Sequence, residues 1–181
     1  FERFSLIAEA GTTTTLAAGA TGTEALAIGG GGTIVNNAVL TTLGQVIANE
    51  LSVTGTPGLT NNGTIALTTT RGTPYAIDLT RFSRFENNGT IDSARNAVSL
   101  GDATTGAVNT GVIVNNGTVN SYFTGMRVTG NSFTNSATGI IQSSNGIALA
   151  LSSGAAGTER SNAGRIDGQT GARLISTSLV N

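Results

Sequence analysis

The chain has 181 residues, with 9 Arg, no Lys and 10 Asp plus Glu, so only 10% of it is charged and the net charge is −1. Its 26 Gly and 30 Thr are poor occupants of helix interiors, Gly through backbone entropy and Thr through a stiff χ1, and they point to an extended, turn-rich, all-β chain. His, Cys, Lys and Trp are absent, which removes Ser-His-Asp and Cys-His nucleophiles, Cys/His zinc sites, Schiff-base and P-loop lysines and disulfide frameworks; no cofactor or metal is expected.

In chain order, Phe1 to Ala8 is apolar enough for a first strand, and the start without Met marks an expected processed or excised piece. Neither a signal-peptide core nor an apolar run of the roughly 18 to 20 residues that span a bilayer is present. Gly29 to Gly32 lacks the Lys and helix of a phosphate-cradling loop and reads as a turn. It leads into GGGGTI, ending at Ile34, which looks like the first copy of a repeat. NNGTI follows at Asn61 to Ile65 and Asn87 to Ile91, NNGTV at Asn115 to Val119, NSATGI at Asn135 to Ile140 with one residue inserted, and NAGRI at Asn162 to Ile166. The terminal aliphatic residues are 31, 26, 28, 21 and 26 residues apart, the mark of a fixed frame with elastic connections.

Two further elements keep step with the motif. Leu59, Phe85, Ile113 and Phe133 each stand two residues before the leading Asn, while Arg160 takes that place in the last copy. After the motif come alternating runs, Ile77-Asp78-Leu79, Val98-Ser99-Leu100, Met126-Arg127-Val128 and Ile147-Ala148-Leu149, with the period of half-buried strands. Three short strands per unit predict a right-handed parallel β-helix: a three-strand solenoid of about seven rungs, each about 4.8 Å above the last. Asn-Gly also announces hairpins, but a meander would not need the same NNGT at every return. Residues 1–181 then form a single β-helix segment, a fragment of a longer protein, with the clearest repeats in 59–151.

The geometry assigns roles. Asn61, Asn87, Asn115, Asn135 and Asn162 should form a structural ladder at one corner, each amide bonding the next and the local backbone. Gly63, Gly89 and Gly117 supply positive φ or close packing there. Ile34, Ile65, Ile91, Val119, Ile140 and Ile166 should line up inward as one aliphatic column.

F-x-N-N-G-T-I followed by a short A-I/V-x-L strand resembles the passenger β-helix of Gram-negative autotransporters, the type V secreted adhesins, and Phe1-Glu2-Arg3-Phe4 is similar to strand beginnings in such passengers. The resemblance covers most of the chain, strongest from Leu59 to Leu151. It implies extracellular display on the bacterial outer membrane and a part in adhesion, aggregation or biofilm formation. The partners it implies are other copies of the chain or a host or cell-surface receptor or glycan. This segment inserts in no membrane, and its scattered Arg give no footprint for nucleic acid.

Parallel β-helices also carry polysaccharide lyases and glycoside hydrolases, so the carboxylates matter. Asp92 and Asp167 share an outward face but sit three rungs apart, about 14 Å, against the roughly 5 to 9.5 Å of a glycosidase pair; Asn120 and Ile141 are expected between them. Asp92 beside Arg95 is the only suggestive proximity and reads as two solvated charges. Asn62, Asn88 and Asn116 open N-G-T sequons that read as by-products of the repeat. Thr-x-Thr at Thr21/Thr23, Thr54/Thr56 and Thr68/Thr70 does not recur in register. The expectation is a non-enzymatic stalk or adhesin segment, with Thr64, Thr90, Thr118, Asp92 and Asn120 as a possible binding face, and loops 101–110 and 152–159 as alternatives.

Overall fold

A computed structural model describes residues 3–72, 74–101, 111–152, 158–175 and 177–181. Among them there is no α-helix, only short strands wound into a parallel β-solenoid. The first turn runs through Arg3–Ala8, Thr13–Leu16 and Thr21–Gly22; the seventh through Ile147–Ser152, Arg160–Asn162 and Arg165–Asp167; and Gly171–Ile175 opens an eighth. Every third strand stacks on its predecessor, which gives one sheet of eight strands and two of seven, all paired in parallel. Expected loop positions Asp102 to Thr110 and Ser153 to Gly157, and the first two residues, lie outside the described residues.

Stacking in register places like residues above one another. Ile65, Ile91 and Val119 are consecutive partners in the third sheet, each fully buried, as the repeat requires. Leu59, Phe85, Ile113 and Phe133 stack likewise in the second sheet. Burying one such side chain contributes about 1.5 to 3 kcal/mol before entropy is subtracted.

The expected register is corrected at both flanks of this central region. Ile34 belongs to the second sheet, where it pairs with Leu59, and Leu40 stands under Ile65 instead. The early copy of the motif is therefore Asn36-Asn37-Ala38-Val39-Leu40, in which Ala, Val and Leu replace Gly, Thr and Ile. Beyond Val119 the inward partner is Ile141, not Ile140, which pairs outward with Thr118. The turn after Asn135 holds two residues more than the turn after Asn115, and the strand that follows slides accordingly. Leu149 likewise, rather than Ile147, stacks on Met126.

The corner explains the motif letter by letter. Each first Asn is inside the solenoid: Asn36, Asn61, Asn87, Asn115 and Asn135 are completely buried. Each donates from Nδ2 to Oδ1 of the next, through Asn162, at 2.8 Å in every step. The expected ladder is present, and it extends to Asn36 at one end and Asn181 at the other. The backbone carbonyl of Asn61 accepts the amides of both Asn88 and Gly89, and Asn87 does the same for Asn116 and Gly117. Glycine follows because an added Cβ on Gly89 would press into the Gly63 carbonyl oxygen, and one on Gly117 into that of Gly89. Close packing, not positive φ, is thus the requirement: none of Gly63, Gly89 and Gly117 has a left-handed backbone.

Arg160 does occupy the core column, stacked on Phe133 and 3% exposed. Its guanidinium is met by oxygen atoms: Nε donates to the Asn131 carbonyl at 3.1 Å, one terminal nitrogen to the Ser152 carbonyl at 3.2 Å and the other to the Thr177 hydroxyl. Burial lowers its pKa from the ordinary arginine value. It ties down residues 177–181, where Val180 bonds to the backbone of Arg160 and Asn162 and Leu179 packs against the core.

Candidate functional site

Alternation along each strand of the third sheet turns one residue outward between two inward ones. In Thr64–Leu67, Thr90–Ser93, Thr118–Ser121, Ile140–Ser143 and Arg165–Asp167 the third position of the strand, as the register aligns them, gives the outward column Ala66, Asp92, Asn120, Gln142, Asp167. Beside it the chain turns toward the first sheet through Thr68, Ala94, Tyr122, Ser144 and Gln169. Between the two rows lies an open groove of about 840 Å³ that runs along the solenoid axis. From Ala66 to Asp167 it crosses four inter-rung steps, roughly 19 Å.

Asp92 and Asn120, expected on a binding face, both line this groove and are direct neighbours. Thr64, Thr90 and Thr118 are also stacked on one another, but they form a parallel row two residues away and do not line it. The residue above Asn120 is Gln142 rather than Ile141, a consequence of the corrected register, so the middle of the groove is polar. Gln142, Tyr122 and Gln169 were missed; counting the turn after Asn135 correctly is the signal that finds Gln142.

The polar groups of the groove fall into two kinds. Ser93 and Ser143 are buried at the floor and spend their hydroxyls on the turns, Ser93 on the Asn96 carbonyl at 2.8 Å and Ser143 on those of Phe123 and Tyr122. The Asp92, Asn120 and Gln142 side chains, by contrast, have no hydrogen-bond or ion-pair partner among the described residues. Asn120 even keeps its Oδ1 buried and unbonded. This differs from the corner, where the asparagines are consumed by one another. There the second Asn of each motif forms an outer ladder, Asn116 donating to Asn88, Asn88 to Asn62 and Asn62 to Asn37 at 2.8 to 2.9 Å. The sequon asparagines therefore have a structural occupation.

The groove's charge is acidic. Asp92 and Asp167 are its ionisable carboxylates and no Arg lines it. Asp167 is paired with Arg165 at an exposed position, which leaves Asp92 as the uncompensated charge. Arg95 does not pair with Asp92; its guanidinium lies 4.5 Å from the centre of the Phe123 ring. Phe123 in turn meets Tyr122 edge-on, with ring centres 4.7 Å apart, and holds the half-exposed Tyr122 ring at the groove margin. Among the described residues no three carboxylates gather as metal ligands.

The fold and groove define a parallel β-solenoid with an axial polar cleft. No family model, no curated protein and no solved structure matches the chain.

Proposed function

We propose that this chain is a non-enzymatic segment of an extracellular stalk or adhesin, displayed on a bacterial surface, that works in adhesion or cell-cell self-association. The observation that carries this reading is the placing of the groove carboxylates. Asp92 and Asp167 are separated by Asn120 and Gln142 in the same column, three steps or about 14 Å, whereas a glycosidase pair works across about 5 to 9.5 Å. Neither amide serves as a general acid or base. What the column offers is binding: unpaired donors and acceptors on a frame whose corner asparagines lock successive turns together.

Beads coated with the chain test the reading. They should clump or be retained on bacterial or host cells, and the soluble chain should compete. Incubation with pectins and capsule polysaccharides should give no turnover. Turnover abolished by Asp92→Asn would make it a carbohydrate-active enzyme, and beads that neither clump nor adhere would remove the adhesin role.

A further inference from the structure

We infer that the axial groove binds one extended saccharide chain, neutral or amine-bearing, lying parallel to the solenoid axis; this rests on the adhesin reading and specifies what its cleft holds. The groove floor is the middle of a sheet whose backbone groups are bonded from turn to turn, so no strand of a partner protein can add there. A ligand must be recognised by side chains alone. Those on offer are Asp92, Asn120 and Gln142, one per turn and each without a partner of its own.

Their repeat is the inter-rung distance, about 4.8 Å, close to the rise of one residue in an extended hexose chain, so successive sugars present hydroxyls to successive turns. A carboxylate accepts two hydroxyl hydrogens, while the amides of Asn120 and Gln142 both donate and accept. Tyr122, stiffened by Phe123 and Arg95, supplies a flat apolar surface for the C–H face of one ring.

With Asp92 uncompensated and no Arg in the lining, the cleft repels chains of uronic acids and favours amino sugars.

Titration calorimetry on the whole 181-residue chain decides the matter. The probes are a hexamer of N-acetylglucosamine, its deacetylated hexamer and a hexamer of galacturonic acid. The first two should bind, the amine form more tightly, and the third should not. Asp92→Asn should weaken the deacetylated hexamer by about tenfold or more, the loss of a charged hydrogen-bond partner, and the acetylated one less. Gln142→Ala should weaken both; Thr60→Ala, on the outer face of the second sheet, should change neither. Failure of both amino-sugar hexamers to bind, equal binding of the galacturonate hexamer, or indifference to Asp92→Asn and Gln142→Ala together would overturn the assignment. If coated beads still adhere when the hexamers fail, the groove assignment falls and the adhesin role stands. If hexamers bind as described but beads neither clump nor adhere, the reverse holds.

Discussion

Asn87 donates from Nδ2 to Oδ1 of Asn115 at 2.8 Å, and neither residue has any surface in contact with solvent. The two are 28 positions apart in the chain and adjacent in the stack. Asn87 also accepts from Asn61, so it is one link in a chain of amides polarised in a single direction.

Replacing Asn87 by Ala should therefore leave the buried Oδ1 of Asn115 without a partner and take from the Nδ2 of Asn61 its 2.8 Å acceptor, leaving it only the long 3.4 Å bonds to the Gly63 and Thr90 carbonyls. The expected loss is about 2 to 4 kcal/mol. Thr68→Ala removes one hydroxyl bond to the Thr42 carbonyl at an exposed position and should cost under about 1 kcal/mol. Chemical denaturation of the two variants compares them, and equal midpoints would take the ladder out of the account of stability.

Gly89→Ala should be costly for a different reason. The new methyl group would meet the Gly63 carbonyl, part of a backbone that is itself bonded and has no room to retreat. We expect a loss of at least about 2 kcal/mol. Gly44→Ala is the control: open space surrounds it and its φ is not left-handed, so it should be neutral or gain up to about 1 kcal/mol from the stiffer unfolded chain. Thermal melts of both variants separate steric closure from a general intolerance of glycine loss.

Glu50 should make the N-terminal turns sensitive to acid. Its carboxylate accepts the Ser5 and Ser52 hydroxyls and the Ser52 amide, and these bonds, led by the one from Ser5, lower its pKa from 4.5 to about 2. Because the folded-state value lies below the unfolded one, the stabilisation is complete above about pH 4.5 and drains away as pH falls toward 2. Hydrogen exchange in Arg3–Ala8 should accelerate over that interval, and Glu50→Gln should flatten the dependence. An unchanged profile in the variant would assign the acid response to another group.

Association of the isolated 181-residue chain should resist salt, since few charges are available to screen. Ile7→Lys places a charge at an exposed apolar position of the first strand and should lower the association seen by sedimentation. The same substitution at Thr134, on the outer face of the second sheet, should lower it less if the contact is end to end. A reversal of that order would mean that the chains pack side by side.

The central turns were legible in the sequence because a solenoid turns stacking into repetition. Leu59, Asn61, Gly63 and Ile65 meet Phe85, Asn87, Gly89 and Ile91, and each pair is alike because both members fill the same slot. Composition, period, the asparagine ladder and the two inward columns between residues 59 and 133 follow from that rule alone. The register outside this stretch did not, because a turn can gain residues without disturbing the core. After Asn135 it gained two, which moved Ile141 inward, and in the second turn Asn36-Asn37-Ala38-Val39-Leu40 fills the slots with residues too different to be seen as a copy. The groove was least visible of all. Its column holds Ala66, Asp92, Asn120, Gln142 and Asp167, five residues of four types, since outward positions carry no packing constraint that would make them alike. Only the stacking of turns tens of residues apart in sequence places these side chains in one line, and only in that line do the unpartnered Asp92, Asn120 and Gln142 border one open cleft.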